Sequence, residues 1–188
     1  MSFTVIYDAC VLYPAPLRDL LIRLGMSGIV RARWTDAIID EVFRNILADR
    51  PDLDETRLAR SRSLMNAAIR DVIVQGYEPL IPALALPDPD DRHVLAAAIR
   101  CGAQGIVTRN LRDFPSPLLE PWGIEVLHPD EFVVAQIHLA PGVVLQKLNE
   151  QASSLKNPPM RLEDLLVVLE NNGLVRSAAE VRRLLSAY

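Results

Sequence analysis

Carboxylates at the ends of predicted strands are the residues of this 188-residue chain whose types and spacing could do chemistry. Asp8 directly follows an apolar run at residues 3–7, and Asp113 comes shortly after a second run at residues 105–108. Asp91 stands at the start of a predicted helix, behind a proline-rich loop. Each acid alone is most often a helix cap or a solvated surface group, but parallel strands bring their carboxyl ends to one edge of a sheet. Because acids gathered there repel one another, the pattern predicts a divalent cation such as Mg²⁺, which prefers oxygen ligands.

Two positions leave a choice between neighbouring acids. Asp88 lies three residues before Asp91 and is a second candidate for the same place in the site. In the helix predicted after Thr35, Asp40 and Glu41 fall on opposite flanks of the apolar arc, about equally far from its centre. Helical periodicity therefore does not choose between Asp40 and Glu41.

Strands alternate with helices in the first two thirds of the chain. The predicted strands are residues 3–7, 29–34, 105–108 and 124–127. The predicted helices are residues 17–25, with Gly25 as its C-cap, 35–48, 54–74 and 91–102, with a loop at 78–89. This alternation predicts an α/β fold, in which a parallel sheet carries helices on both faces.

Only helical patterns follow from about residue 130. The candidate helices are residues 130–138, 142–154, 161–171 and 177–187. We therefore expect two parts, an α/β domain at residues 1–129 and a C-terminal helical extension at residues 130–188. The extension carries few chemically suggestive residues and is expected to pack on the core, to contact a partner, or both.

Composition excludes several classes of protein. Half of the residues are hydrophobic, which argues against disorder, and no apolar run approaches the roughly 20 residues that a membrane helix needs. The net charge of −4 is not that of a protein that holds nucleic acid through bulk positive charge. Cys10 and Cys101 form no metal or redox motif, and no secretory signal is evident, so a cytoplasmic setting is expected.

Four segments, taken in order, resemble the PIN domain family, and specifically toxin ribonucleases of the VapC type. They are residues 5–12, 40–42, 88–98 and 106–114, within a resemblance that covers about residues 3–128. The resemblance implies a three-layer α/β/α domain with a short parallel sheet. It implies a metal-dependent endonuclease that cuts RNA with Mg²⁺ or Mn²⁺, a small antitoxin protein as partner, and a homodimer.

The resemblance also assigns roles by position. It implies a catalytic set of four acids, Asp8, Glu41, Asp91 and Asp113. It thereby selects Glu41 over Asp40. The expected metal ligands within the set are Asp8, Asp91 and Asp113, while Asp88 remains an alternative to Asp91.

Further residues are expected to support this site. Thr108 matches a polar position of the family near the acids, and Asn110 lies in the same segment. Arg92 and Arg112 stand beside proposed ligands and are expected to contact RNA phosphates. Cys10 departs from the family, which commonly has Asn, Ser or Thr there, so a polar contact to Asp8 is expected to be missing or supplied by another residue.

Other basic and imidazole groups are ambiguous. Arg57, Arg60 and Arg62 could guide an RNA backbone, but a solvated helix face is the more ordinary interpretation. His93 lies on an apolar helix and is interpreted as structural, and it shares no metal-ligand spacing with His128 or His138.

Three competing classes remain to be weighed. A DNA or structure-specific nuclease of the same fold is compatible with the acids, and so is a non-catalytic PIN-like binding module. A phosphatase with an aspartyl nucleophile usually carries a second Asp two residues after the first, where this chain has Cys10.

Overall fold

A four-stranded parallel sheet in the order β2-β1-β3-β4 lies at the centre of the computed structural model, which describes residues 3–186. The strands are β1 (Phe3–Tyr7), β2 (Val30–Arg33), β3 (Gly105–Val107) and β4 (Glu125–Leu127). Six helices accompany them: α1 (Ala9–Leu12), α2 (Ala15–Met26), α3 (Asp36–Asp49), α4 (Glu55–Ala68), α5 (Arg92–Cys101) and α6 (Ser116–Leu119). Helices flank the sheet, which confirms the predicted α/β arrangement.

The central strand β1 is buried because its sequence is apolar on both faces, as expected when helices cover a parallel sheet. Val5, Ile6 and Tyr7 have no exposed surface. In the register of the sheet, Tyr7 of β1 is level with Val107 of β3. The residues that follow these two strands, Asp8 and Thr108, therefore emerge side by side at the same sheet edge.

Two more elements bring acids toward that edge. The Thr35 side chain accepts a hydrogen bond from the Ile38 amide and so caps α3, as its sequence predicts. A 3-10 turn at Pro89–Asp91 leads directly into α5, which packs on β1 and β3. The start of α5 thus lies at the carboxyl ends of the two central strands.

The predicted C-cap at Gly25 is wrong. Helix α2 continues to Met26, and the left-handed glycine that turns the chain is Gly28, with φ of 80°. Gly25 lies where α2 packs closely: a Cβ there would come within 2.6 Å of Ile69 Cδ1 and 3.1 Å of Ala32 Cβ. The glycine therefore permits a close approach of elements rather than ending the helix.

The predicted helix at residues 54–74 is shorter than expected. It ends at Ala68, and Asp71 takes a left-handed conformation with φ of 55°. The β-branched residues beyond run extended beside Trp34: the Trp34 amide donates to Val72 O (3.1 Å) and the Val74 amide donates to Trp34 O (2.8 Å). Pairing beside the sheet edge thus prevails over the helical pattern of this segment.

Four helices form the C-terminal part of the chain. They are α7 (Pro129–Leu139), α8 (Pro141–Ser154), α9 (Leu162–Asn171) and α10 (Val175–Ser186). The predicted end of the last helix at residue 187 and the two chain ends lie outside the described residues. The division at 129/130 stays a prediction. In the part of the chain that the structure describes, no helix is both long and apolar enough to cross a membrane.

Two contacts join these helices to each other and to the sheet. The buried Asp130 carboxylate, near the start of α7, accepts from the first turn of α10: from the Arg176 amide at 2.9 Å and the Ser177 amide at 2.8 Å. Phe132 of α7 meets the ring of Tyr7 edge-on, with centroids 5.9 Å apart. The extension therefore packs directly on the strand that ends at Asp8.

Candidate active site

Asp8 lies at the centre of the candidate site, and it is almost fully buried, at 4% exposure. It ends β1 and caps the short helix α1, where its Oδ1 accepts a hydrogen bond of 2.7 Å from the Ala9 amide. The apolar strand before it explains its burial. A buried carboxylate in this position needs donors or a cation to offset its lost hydration.

Two side chains supply donors to the other oxygen of Asp8. Thr108, fully buried after β3, donates its hydroxyl to Asp8 Oδ2 at 2.7 Å. Cys10 donates its thiol to the same oxygen at 3.1 Å, and its Sγ lies 3.3 Å from Thr108 Oγ1. The contact that the family's polar residue would make is thus supplied by Cys10 itself, which corrects the expectation of a missing or displaced contact.

The Cys10 thiol is an unreactive donor. Burial, and secondarily the charge of Asp8, raise its pKa to about 12. The sulfur therefore keeps its proton at neutral pH and can donate to the carboxylate. It also accepts a hydrogen bond of 3.2 Å from the Arg109 amide.

Among these acids, Asp91 has the most strongly raised pKa. Burial, followed by neighbouring negative charges, raises the pKa of Asp91 to about 7. In decreasing order of effect, these charges belong to Asp8, Asp88, Asp113 and Glu41. The structure therefore brings the four predicted acids, together with Asp88, into one electrostatic group.

Asp40 and Glu41 have different surroundings, although helical periodicity did not distinguish them. The Glu41 pKa is raised by burial and then by the charge of Asp8, so Glu41 faces the acidic group. Asp40 instead forms an ion pair with Arg62 of α4 and remains largely exposed. The same arginine contacts Asp36 at 3.0 Å, so Arg62 joins two helices.

Asp88 and Asp113 occupy the borders of this group. The exposed Asp88 accepts a hydrogen bond of 2.8 Å from the Asp90 amide and caps the 3-10 turn before α5. Asp113 ends a second 3-10 turn, Leu111–Asp113, and is half-buried. Asp88 thus has a local structural role in addition to its charge, whereas Asp91 lies deeper.

The supporting polar and basic residues surround the acids. The Asn110 amide donates to Thr108 Oγ1 at 3.0 Å, which holds the Thr108 hydroxyl from the other side. Arg92 Nε donates to Pro89 O at 2.9 Å, while Arg112 is exposed beside Asp113. Both arginines therefore lie on segments that carry acids of the group.

A cavity of about 500 Å³ opens beside the acids, with Glu41 of the acidic group in its wall. Its lining includes Glu41 and Asn110 together with Tyr13, Asn45 and Arg109. A cleft that combines carboxylates, amides and one guanidinium is typical of a site for a polar ligand.

Metal binding is compatible with the chemistry of these donors. Within residues 3–186 no group of three or more His, Cys, Asp or Glu side chains stands close enough to form a ready-made metal cage. Magnesium, however, usually keeps several waters and needs only one or two protein carboxylates. The raised pKa of Asp91 shows that negative charges crowd one another here, and a cation would relieve that crowding. The carboxylates therefore fit a hydrated divalent ion.

Sequence reasoning missed two contacts at this site. One is the Cys10 thiol bond to Asp8, for which the signal was present: a small polarisable residue stands two positions after the acid. The other is Arg109, whose Nη2 donates to the Asn172 carbonyl at 2.6 Å and thereby joins the segment after β3 to the end of α9. No sequence pattern could link positions so far apart.

His93 lies near the site without joining the acids by a hydrogen bond. Its Nδ1 is buried and has no hydrogen-bond partner among the described residues. Burial lowers the His93 pKa, which keeps the ring neutral at neutral pH. Its interpretation as a structural residue stays a prediction.

Comparison with known proteins agrees with this fold. The PIN domain family model matches residues 4–112, more than half of the chain, and a second family model, the VapC50 C-terminal domain, matches residues 129–183. The chain belongs to the PIN domain family. The first match lies within the α/β part and ends before β4, and the second lies within the C-terminal helices.

Among curated proteins, the chain is similar to the putative ribonuclease VapC50 of Mycobacterium tuberculosis. The two share 36% identity over 134 residues, which cover 71% of this chain and 78% of that protein. No solved structure gives a match.

Proposed function

We propose that this chain is a metal-dependent endoribonuclease and the toxin of a toxin–antitoxin pair. The observation that carries the proposal is the buried Asp8 carboxylate at the end of β1, held by Thr108 at 2.7 Å and near enough to Asp91 to help raise the pKa of that acid. Perturbed acids in a cleft are typical of functional sites. Membership of the PIN domain family and the similarity to a putative ribonuclease favour RNA as the substrate.

In this proposal Asp8, Asp91 and Asp113 would hold a divalent cation, Mg²⁺ or Mn²⁺, directly or through bound water, with Glu41 completing the acidic group. A cation bound there would stabilise the charge that develops on the scissile phosphate and favour ionisation of the attacking water. Thr108 and Cys10 fix the rotamer of Asp8 through their hydrogen bonds to Oδ2. Arg92 and Arg112, on segments that carry acids of the group, would contact phosphates of the RNA.

The acids also make binding of RNA depend on the metal. A site with several carboxylates repels a polyanion until the cation neutralises it, so RNA and metal bind cooperatively. Exposed guanidinium groups at the border, such as that of Arg112, then position the backbone. Affinity for RNA is therefore expected to be weak in EDTA.

Regulation in this proposal comes from a small antitoxin protein that covers or blocks the acidic cleft. An arginine from such a partner could pair with the carboxylates. We further propose a cytoplasmic homodimer, as the resemblance to VapC-type toxins implies. A short open reading frame adjacent to the gene, and co-purification of its product with this chain, would test the pairing.

The experiment is cleavage of end-labelled RNA, single-stranded DNA and flap DNA by the purified chain with Mg²⁺, Mn²⁺ or EDTA. We expect cleavage of RNA only, lost in EDTA and lost in Asp8→Asn. Asp71→Asn is the matched control, because Asp71 is exposed and pairs with the exposed Arg70.

Three outcomes would contradict the proposal or its assignment of Asp8. Preferential cleavage of DNA would instead assign a DNA or structure-specific nuclease of this fold. RNA binding with no cleavage under any metal condition would assign a non-catalytic PIN-like module. Activity that persists in Asp8→Asn after purification from host nucleases would remove Asp8 from the site.

A further inference from the structure

Arg109 places one positive charge in the wall of the cavity beside the acids. The same wall contains Glu41 of the acidic group and the carboxylate of Asp49, which accepts a hydrogen bond from the Tyr13 hydroxyl. Arg109 is exposed, and within residues 3–186 it is the one cation in this wall. The sequence patterns assign no role to it, so its surroundings have to show what it does.

The backbone of Arg109 is fixed relative to Asp8. Its amide donates a hydrogen bond of 3.2 Å to Cys10 Sγ, and the Cys10 thiol donates to Asp8 Oδ2. The next residue is also held, because the Asn110 amide donates to Thr108 Oγ1 at 3.0 Å. The Arg109 side chain therefore starts from a backbone position only two hydrogen bonds away from the buried acid.

The side chain of Arg109 is oriented by the C-terminal helices. Its Nη2 donates a hydrogen bond of 2.6 Å to the carbonyl of Asn172, the residue that follows α9. The turn there is anchored, because the Leu174 amide donates to Leu169 O at 3.0 Å and the Leu174 side chain is fully buried. The carbonyl that holds the guanidinium therefore belongs to a well-ordered junction between α9 and α10.

This contact orients the guanidinium and leaves its charge uncompensated. A guanidinium carries five N–H donors, and the Asn172 carbonyl is a neutral acceptor that takes one of them. Within residues 3–186, Arg109 forms no ion pair. A side chain that is already ordered loses less rotamer freedom when it binds an anion. The remaining donors of Arg109 are therefore suited to a phosphate, whose oxygens match the planar fork of a guanidinium.

We propose that Arg109 binds a phosphate of the RNA strand in the cavity beside the acids, and that the Asn172 carbonyl positions it for this contact. The proposal rests on the proposed endoribonuclease function and adds to it a role for the C-terminal helices in substrate binding. An RNA strand that reaches the acids through this cavity passes Arg109, where a phosphate gains a charge-assisted contact. The contact positions the strand without reading its bases.

The test measures how tightly the full chain binds a labelled single-stranded RNA at several salt concentrations with Mg²⁺, in an Asp8→Asn background so that the RNA stays intact. We expect Arg109→Gln to weaken binding about tenfold, as loss of a hydrogen bond to a charged group allows. The slope of log affinity against log salt should fall by about 0.7, the value for one phosphate contact on a single strand. Arg109→Lys keeps the charge without the planar fork, so it should retain the slope and lose part of the affinity.

Arg70→Gln is the matched control, because it removes an exposed guanidinium near Val30, at the amino end of β2, and it should leave affinity and slope unchanged. If Arg109 only joined the two parts of the chain, Arg109→Gln would destabilise the fold without changing RNA affinity or slope, and that result would overturn the proposal. In the RNA-free chain, NMR relaxation should show the Arg109 Nε–H to be more ordered than that of Arg70. Equal mobility of the two would overturn the positioning by Asn172.

Failure of this proposal is distinguishable from failure of the proposed function. RNA that binds through Arg109 but is never cut by the chain with Asp8 intact would contradict the nuclease and support the phosphate contact. Cleavage of RNA together with an unchanged salt slope in Arg109→Gln would support the nuclease and overturn the phosphate contact. A chain that binds no RNA would overturn both.

Discussion

Thr108 donates a hydrogen bond of 2.7 Å to Asp8, although one hundred positions separate the two residues in sequence. The parallel register of β1 and β3 creates this contact, because both residues directly follow a strand. The hydroxyl also accepts a hydrogen bond from the Asn110 amide. Thr108 thus connects the buried acid to the segment that carries Asp113.

Removing the Thr108 hydroxyl should allow the Asp8 side chain to leave its position. Thr108→Val keeps the shape of the side chain but removes the donor to Asp8, and we expect RNA cleavage to fall on the order of tenfold in kcat/KM. Stability should fall by about 1–3 kcal/mol in urea unfolding, because the Asn110 amide loses its acceptor. Thr108→Ser, which retains the hydroxyl, should stay close to the unmodified chain. Equal loss in both variants would show that the methyl group, not the hydrogen bond, matters.

The pH dependence of the free energy of unfolding should show the raised pKa of Asp91. Its folded-state pKa of about 7 lies above its ordinary value of 3.8, so the folded protein binds this proton more tightly than the unfolded chain does. The stability contributed by this group is complete below about pH 4 and is lost as pH rises through about 7. In EDTA, Asp91→Asn should therefore be more stable than the unmodified chain at pH 8, by about 2 kcal/mol after allowance for partial exposure, and no more stable at pH 4.

Urea unfolding at several pH values measures this difference. Asp71→Asn serves as control, since Asp71 is exposed and lies outside the acidic group. Added Mg²⁺ should narrow the gap between Asp91→Asn and the unmodified chain, because a bound cation offsets the repulsion. A gap that is constant from pH 4 to pH 8 would show that Asp91 has an ordinary pKa.

Asp40 and Glu41 offer a matched pair on one helix. Glu41→Gln should lower RNA cleavage roughly 10–100-fold, because Glu41 faces the acidic group. Asp40→Asn should leave cleavage unchanged, because Asp40 is paired with Arg62 away from the acids, and should cost less than about 1 kcal/mol of stability. The reverse pattern of activities would exchange their roles.

Asp130 should stabilise the packing of the C-terminal helices. Its carboxylate accepts from two amides of α10 and from the Ser177 hydroxyl at 2.6 Å. Asp130→Ala would leave the two amides unsatisfied, and we expect a loss of about 2–4 kcal/mol in urea unfolding. The neighbouring exposed Glu131, changed to Ala, is the control and should have little effect. If both variants unfold at the same urea concentration, the bonds to α10 contribute nothing.

Elements that depend mainly on neighbouring residues in the sequence were predicted correctly. Residues 3–7 form β1 as predicted, because a mostly apolar run of this length is typical of a buried strand. Thr35 caps α3 as predicted, because a side-chain oxygen before an apolar helix satisfies a free amide. Parallel pairing of β1 with β3 then placed Asp8 beside Thr108, so the sheet edge of the candidate site could be anticipated.

Features that depend on distant partners could not be predicted. Gly25 is a turn signal in sequence, but Ile69 and Ala32 approach it in space. Asp40 and Glu41 are equivalent on a helical wheel until Arg62 of another helix pairs with one of them. Both features arise from contacts between elements that no short window of sequence contains, and only the family resemblance distinguished Glu41 from Asp40.

The edge-on contact between Tyr7 and Phe132 has a consequence for biosynthesis. Tyr7 immediately precedes Asp8 and is translated early, whereas its aromatic neighbour emerges from the ribosome only after the whole α/β part has been made. Asp130, two positions before Phe132, in turn waits for α10 before its carboxylate is satisfied. The packing around the buried acid is therefore completed late in translation. A nascent chain would form its complete cleft only when nearly the whole chain has left the exit tunnel of the ribosome.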